Sequence, residues 1–253
     1  MIRSDLLTRA SDLRARRTPF VLATVVRAQR PTSAKAGDAA LILADGTLDG
    51  FVGGVCAEST VLLHGLRLLS TGESTLLHIT PSPSDGPVEE GAVTVANPCH
   101  SGGALDIFLE PMLPPPLVHV LGDAPVARAL IALGEPLGYA VVATTDPHAA
   151  IPTDAAAVVV ASHGHDEEPV LAAALRAGVP YVALVASRRR GAGVLSSLDG
   201  SERVHSPAGL DIGARTAPEV ALSILAEIIA TRPRVTPSPP VVPPTASLLP
   251  VLE

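Results

Sequence analysis

Apolar positions in the first half of the chain arrive in short, separated runs. In the second half they form strand-length runs that alternate with helical periods. Ser4, followed by Leu6, Leu7, Ala10 and Leu13, predicts a capped helix over 4–17. Phe20–Val26 predicts a buried strand, and 29–37 a polar loop rich in hydroxyls and cations. Ala39–Leu43 and Leu48–Val52 flank Asp45-Gly46, a strong hairpin signal. A helix is expected from just after Cys56 to about Ser70, with Leu62, Leu66 and Leu69 on one face and Gly72 as its stop. Strands follow at Leu76–Ile79, Val93–Ala96 and Ala104–Glu110, with a mobile Pro/Ser/acid loop expected over 81–91.

Pro111–Pro116 is a run of prolines, stiff and extended, and places a domain boundary there. Beyond it Leu117–Leu121, Val141–Thr145, Ala155–Ala161 and Tyr181–Val185 are strands separated by helical stretches. Strands and helices of that length in strict alternation predict a parallel, doubly wound sheet of Rossmann-like type. Thr216-Ala-Pro-Glu219 is a capping box opening a last helix, with Val220, Ile224 and Ile228 inward. The fold class expected is therefore α/β. A mixed N-terminal domain (1–110) and a linker (111–116) lead to a Rossmann-like domain (117–231) and a disordered proline-rich tail (232–253).

Composition narrows the function classes. With 253 residues and 47% hydrophobic content the chain can bury two cores. Aromatics make up 2% and the net charge is −7, which argues against the stacking surfaces and basic excess that nucleic-acid binding requires. Two cysteines cannot make a disulfide framework and fit a reducing cytoplasm. No run reaches the length of a membrane span, and the first residues lack an apolar signal-peptide core.

Chemistry concentrates at two glycine pairs. Gly53-Gly54 precedes Cys56 at the start of a helix, where backbone amides and a positive dipole end favour an anion and lower a thiol pKa. Cys99 lies beside Gly102-Gly103 at the start of another strand. Each stretch read alone is equally a tight turn holding a small side chain. Together they put both cysteines in the same kind of backbone niche, able to line one pocket if their strands are neighbours. Paired metal-ligand spacing is absent, so structural zinc is not expected, although Cys56, Cys99 and His100 could hold a soft metal or a sulfur-bearing ligand.

Four stretches, Arg30–Asp38, Asp45–Cys56, Cys99–Gly103 and Leu210–Thr216, occur in an order that resembles the XdhC/CoxI family, over about residues 15–230. These are bacterial accessory proteins of molybdenum hydroxylases such as xanthine dehydrogenase and carbon monoxide dehydrogenase. The resemblance implies a chaperone that binds molybdenum cofactor, with or without a nucleotide, and protects it during sulfuration by a cysteine-desulfurase-type sulfurase. It then delivers the cofactor to the apo-enzyme. Homo-oligomerisation is implied as well. Carried over, the cofactor-binding turns fall on Gly53, Gly54, Cys56 and Glu58 and on Cys99, Gly102 and Gly103. Lys35, Arg30 and a helix start at 57 suit a phosphate-bearing pterin.

A second candidate site is Gly122-x-Ala124-x-x-Ala127 after a strand, a dinucleotide fingerprint with two glycines replaced. Asp146, at the next strand end, stands near the position of a ribose-binding acid. Asp123 and Pro125 oppose a phosphate there. NAD(P) and a nucleotide-extended molybdenum cofactor are the two ligands weighed, and an NAD(P)-dependent oxidoreductase is the alternative function. His163, His165, Asp166 and Glu167 form a strand-end loop that is either a metal site or ordinary helix-start polarity. Arg188, Arg189 and Arg190 follow the next strand and could grip phosphate, but are read as solvated charge.

Overall fold

The computed structural model describes residues 3–82, 90–96 and 102–232. The expected mobile loop lies largely outside the described residues, as do Cys99, His100 and the proline-rich tail from residue 233. By its internal contacts the chain divides between Pro114 and Pro115.

In the first unit, α1 (Arg3–Ala15) precedes β1 (Phe20–Gln29), β2 (Ala39–Leu43) and β3 (Leu48–Gly50). Next come α2 (Val55–Thr71), β4 (Thr75–Thr80), β5 (Ala92–Ala96) and β6 (Ala104–Met112). Among the described residues the strands form one sheet in the order β3-β2-β1-β6-β4-β5, antiparallel except for the parallel β4–β5 pair. Side chains alternate across its strands. Val21, Ala23 and Val25 of β1 join Leu105, Ile107 and Leu109 of β6 in a core with Ala57 and Val61 of α2. Phe20 and Leu41 pack instead with Leu6 and Leu13 of α1. The inward stripe of α2 is thus Ala57, Val61 and Gly65, while Leu62, Leu66 and Leu69 lie half-buried on its flank.

Two strands run further than the apolar pattern indicates. β1 and β6 pair from Phe20↔Met112 to Gln29↔Ala104, with a register shift at Val25/Arg27. That ladder carries β1 into the polar segment and β6 through Pro111 into the proline run.

In the second unit β7 (Leu117–Leu121), α3 (Pro125–Gly134) and β8 (Ala140–Thr144) are followed by β9 (Ala155–Val160) and α4 (Glu167–Arg176). Then come β10 (Tyr181–Leu184), α5 (Arg188–Leu195), β11 (Val204–His205) and α6 (Ala217–Thr231). The sheet is parallel in the order β11-β10-β9-β7-β8. Ala127 and Leu130 of α3 pack with Ala221, Ile224 and Ile228 of α6 on one face. Val170, Leu171 and Ala174 of α4 pack on the other. This is a doubly wound α/β unit, and the Thr216–Glu219 capping box is present. The sequence pattern does not indicate α5 or β11, since arginines open the first and the second is two residues long.

In each unit a largely buried carboxylate ties elements together. Asp106 on β6 accepts hydrogen bonds from Arg27 on β1 and His78 on β4 (2.8 Å to Nδ1), its two cross-strand partners. Glu227 on α6 accepts from Tyr181 (2.6 Å), His205 (2.9 Å) and the Gly209 amide (2.8 Å). Burial pushes both carboxyls upward, but these hydrogen bonds outweigh it and hold both below the usual carboxylate range. A depressed folded-state pKa contributes stability above the unfolded value and loses it as pH falls through the folded value. Denaturant midpoints followed by circular dichroism should therefore fall between about pH 5 and pH 2. The fall should be shallower in Asp106→Asn and Glu227→Gln. Slopes equal to wild type in both variants would contradict the assignment.

Candidate functional site

Among the described residues, those singled out around the two glycine pairs gather at one edge of the first unit's sheet. Gly53 has φ 136°, and a Cβ there would lie 3.0 Å from Ala57 Cβ, 3.2 Å from Leu105 Cδ1 and 3.9 Å from Ala34 Cβ. The Gly53 backbone therefore nests between the segment beside Lys35 and the start of β6. A Cβ on Gly103 would lie 2.2 Å from the Pro31 carbonyl oxygen and 2.8 Å from that of Gln29. Only a glycine lets the 102–105 segment lie against the 29–31 backbone. The polar loop after β1, the turn before α2 and the entry to β6 thus meet at one place, although 50 residues separate Gly53 from Gly103.

At this edge Gly54 is the N-cap of α2, extended and without a side-chain cap. Because Gly54 takes the cap position, the helix begins at Val55 and not at 57, which puts Cys56 inside its first turn. Cys56 is exposed, Val55 is 77% exposed and Phe51 is 40% exposed, so the thiol sits in an open, partly apolar surface. In the first turn of α2 the Ala57 and Glu58 amides donate to the Gly54 carbonyl at 2.9 and 3.1 Å, and the macrodipole gives this end positive potential. Glu58 is half-buried and complements that dipole. Lys35 is exposed, its own amide donating to Asp38 Oδ2 at 2.7 Å. Cys99, the other cysteine singled out, lies outside the described residues. A thiol, the positive end of a helix and a lysine suit an anionic, sulfur-bearing ligand.

In the second unit the strand order changes direction between β7 and β9, whose following helices α3 and α4 lie on opposite faces. Doubly wound sheets leave a crevice at the carboxyl ends of such a pair. A cleft of about 140 Å³ opens there, lined by Leu121, Gly122, Asp123, Thr145, Pro147, Ser162, His165 and Asp166. Gly122 has φ 116°, and a Cβ on it would lie 2.3 Å from the Ala161 carbonyl oxygen. Its glycine character thus serves the close passage of β7 beside β9. Ala124 is the N-cap of α3, Pro125 is its first residue, and Ala127 is fully buried against the sheet. Asp146 does not line the cleft, although Thr145 and Pro147 on either side do. Its amide donates to Thr144 Oγ1 (3.1 Å) and its carboxylate accepts from the His148 amide (2.9 Å), a turn that folds the side chain over its own loop.

The arginine run separates in the structure. Arg188 is 85% exposed, whereas Arg190 forms an ion pair with Glu167, whose side chain is 2% exposed. Glu167 also accepts from the Gly164 amide at 2.9 Å, and Arg190 donates to the Val185 carbonyl at 2.7 Å. This pair holds the loop 162–166, in which His163, Gly164 and Asp166 all have positive φ. Arg190 is therefore a structural cation, contrary to its reading as solvated charge. Among the described residues no three His, Cys, Asp or Glu side chains are placed to hold a metal. No helix among them is long and apolar enough to cross a membrane.

The architecture defines a two-part protein: a thiol-bearing mixed-sheet unit and a doubly wound α/β unit. Two family models match in chain order, the XdhC and CoxI family over residues 13–80 and the XdhC Rossmann domain over residues 118–228, and the chain belongs to this family. It is 26% identical to the uncharacterized protein YqeB of Escherichia coli K12, over 90% of this chain and 46% of that one. It is 36% identical to a protein of Bacillus subtilis 168 described as a probable xanthine dehydrogenase subunit, over 32% of this chain and 24% of that one. It thus spans less than half the length of both. A solved structure of a xanthine dehydrogenase from Bacillus halodurans aligns with a TM-score of 0.44 at 16% identity, over 91% of this chain and 98% of that one.

Proposed function

We infer that this chain is an accessory factor of molybdenum hydroxylases that binds molybdenum cofactor at the first unit's glycine–cysteine edge. It shields the cofactor during sulfuration and hands it to an apo-enzyme. Its partners in that role are the hydroxylase and a cysteine-desulfurase-type sulfurase, and it acts as a homo-oligomer. The observation that carries the reading is the convergence of Gly53, Gly103 and the Lys35 loop around an exposed Cys56 in the first turn of α2. Family membership and the xanthine dehydrogenase-named relative support it.

In this reading the positive end of α2 and Lys35 attract the ligand's phosphate. Cys56 meets its sulfur or metal end, and the exposed Val55 and Phe51 cover the ring. The bound group supplies the molybdenum dithiolene that the client enzyme needs. This chain's residues hold it and keep water away.

Expression in cells with intact cofactor biosynthesis should yield protein carrying molybdenum by mass spectrometry and oxidised pterin by fluorescence. Cys56→Ala should retain less by about tenfold or more, the loss expected when a soft or charge-assisted contact is removed. Because Cys56 is exposed, the variant's melting curve should match wild type. Wild type without pterin or metal would end the reading, and equal retention in Cys56→Ala would move the site elsewhere. The alternative, an NAD(P)-dependent oxidoreductase working through the second unit, draws on the position of the switch-point cleft alone. It predicts measurable NAD(P) affinity, and a calorimetric titration without heat retires it.

A further inference from the structure

The cleft between the ends of β7 and β9 has a chemistry that its position does not announce. A dinucleotide site at this place offers phosphate a glycine that the ligand approaches, open amides at the helix start, and often a cation. Here the space a Gly122 side chain would occupy is filled by Ala161 and Ser162 backbone. α3 opens on Pro125, which has no N–H. No lysine or arginine lines the cleft. Two neighbouring guanidiniums are already engaged by protein acceptors: Arg190 by Glu167 and the Val185 carbonyl, and Arg128 by the Asp123 carbonyl at 2.9 Å. What lines the cleft is two carboxylates, Asp123 and Asp166, the hydroxyl residues Thr145 and Ser162, the His165 ring, and apolar walls from Leu121 and Pro147.

We propose that this cleft is a nucleoside site that selects against phosphate. It takes a ribose-bearing ring without charge, its carboxylates accepting hydrogen bonds from the vicinal hydroxyls while Leu121 and Pro147 cover the base or sugar face. A carboxylate is the group that doubly wound folds use to hold ribose hydroxyls. Two of them beside the place of a phosphate repel an anion, and because both are exposed that repulsion is one that salt screens. The ion pair of buried Glu167 with Arg190 keeps the 162–166 wall in place before any ligand arrives, so binding does not have to order the loop. The site does not depend on how the Cys56 edge is read.

The test is calorimetric titration of the full chain with adenosine, guanosine and cytidine, then with the matching 5′-monophosphates and NAD. At least one nucleoside should bind, with its monophosphate about tenfold weaker at low salt. Rising ionic strength should narrow that gap, because screening weakens repulsion. The 2′-deoxynucleoside should bind more weakly than the parent. Asp123→Asn and Asp166→Asn should each bring nucleoside and monophosphate closer together. Both residues are exposed, Asp166 makes no side-chain cap, and asparagine tolerates its φ of 51°, so neither variant threatens the fold. A monophosphate or NAD bound as tightly as the nucleoside overturns the proposal. So does the absence of binding by all three nucleosides at millimolar concentration, or an unchanged gap in both asparagine variants.

Discussion

Gly122→Ala destabilises the second unit by about 3–5 kcal/mol, a large share of the stability of an ordinary domain. Two independent effects add at this position. The backbone there has φ 116°, which an L side chain rarely adopts. The new Cβ would also lie 2.3 Å from the Ala161 carbonyl oxygen and 2.7 Å from its carbon, both backbone atoms. Backbone cannot swing aside as a flexible side chain can. Relief therefore requires β7 and β9 to separate at their ends, where the Ala161 amide donates to the Leu121 carbonyl at 2.8 Å. Gly138→Ala is the matched control: φ is 77° with nothing within 4 Å of the added Cβ, so strain alone remains, about 1 kcal/mol. Urea denaturation separates the two effects. If both substitutions lower the midpoint equally, the overlap with Ala161 decides nothing.

Arg190→Ala costs more than Glu167→Ala, even though both remove the same ion pair. Glu167 is 2% exposed, so losing Arg190 leaves a carboxylate buried beside only amide and hydroxyl donors, a loss of about 3–5 kcal/mol. Losing Glu167 leaves a guanidinium that is already 36% exposed and still bonded to the Val185 carbonyl. Solvent screens it, and the loss drops to about 2 kcal/mol. The double substitution should cost less than the sum of the two, because the stranded charge is then absent. Amide hydrogen exchange in 162–166 should accelerate in either variant, since Gly164 N–H is held by Glu167 at 2.9 Å. Equal costs for the two single variants, or strict additivity in the double, would show that the pair's burial is not what matters.

How far the site is legible in the sequence depends on the range of the interactions involved. The Gly53-Gly54-Cys56 turn can be read because a glycine N-cap, helix-start amides and a thiol are neighbours in the chain. The pattern points to a helix start at 57, two residues late, because no side-chain cap marks Gly54. Asp146 matches a ribose acid by spacing, but a bond from His148 two residues away turns its carboxylate back on its own loop. Arg190 reads as surface charge because its partner, Glu167, is 23 residues distant. Within a run of three arginines nothing marks the one that is drawn inward.

The sequence by itself determined the alternation of strands and helices in the second unit, the capping box that opens α6, and the glycine pairs at which chain direction must change. These rest on local forces: the period of apolar residues, the φ values open to glycine, and hydrogen bonds three residues apart. Only the tertiary structure decided that Gly103 lies against Pro31, that Gly53 touches Leu105, and that Asp106 joins three strands. It likewise decided that two carboxylates, with no lysine or arginine, line the switch-point cleft. Those outcomes depend on strand order and on which buried polar group finds a partner. Both are set when distant segments pack, because an unpaired buried charge or a crowded backbone is too unfavourable to persist.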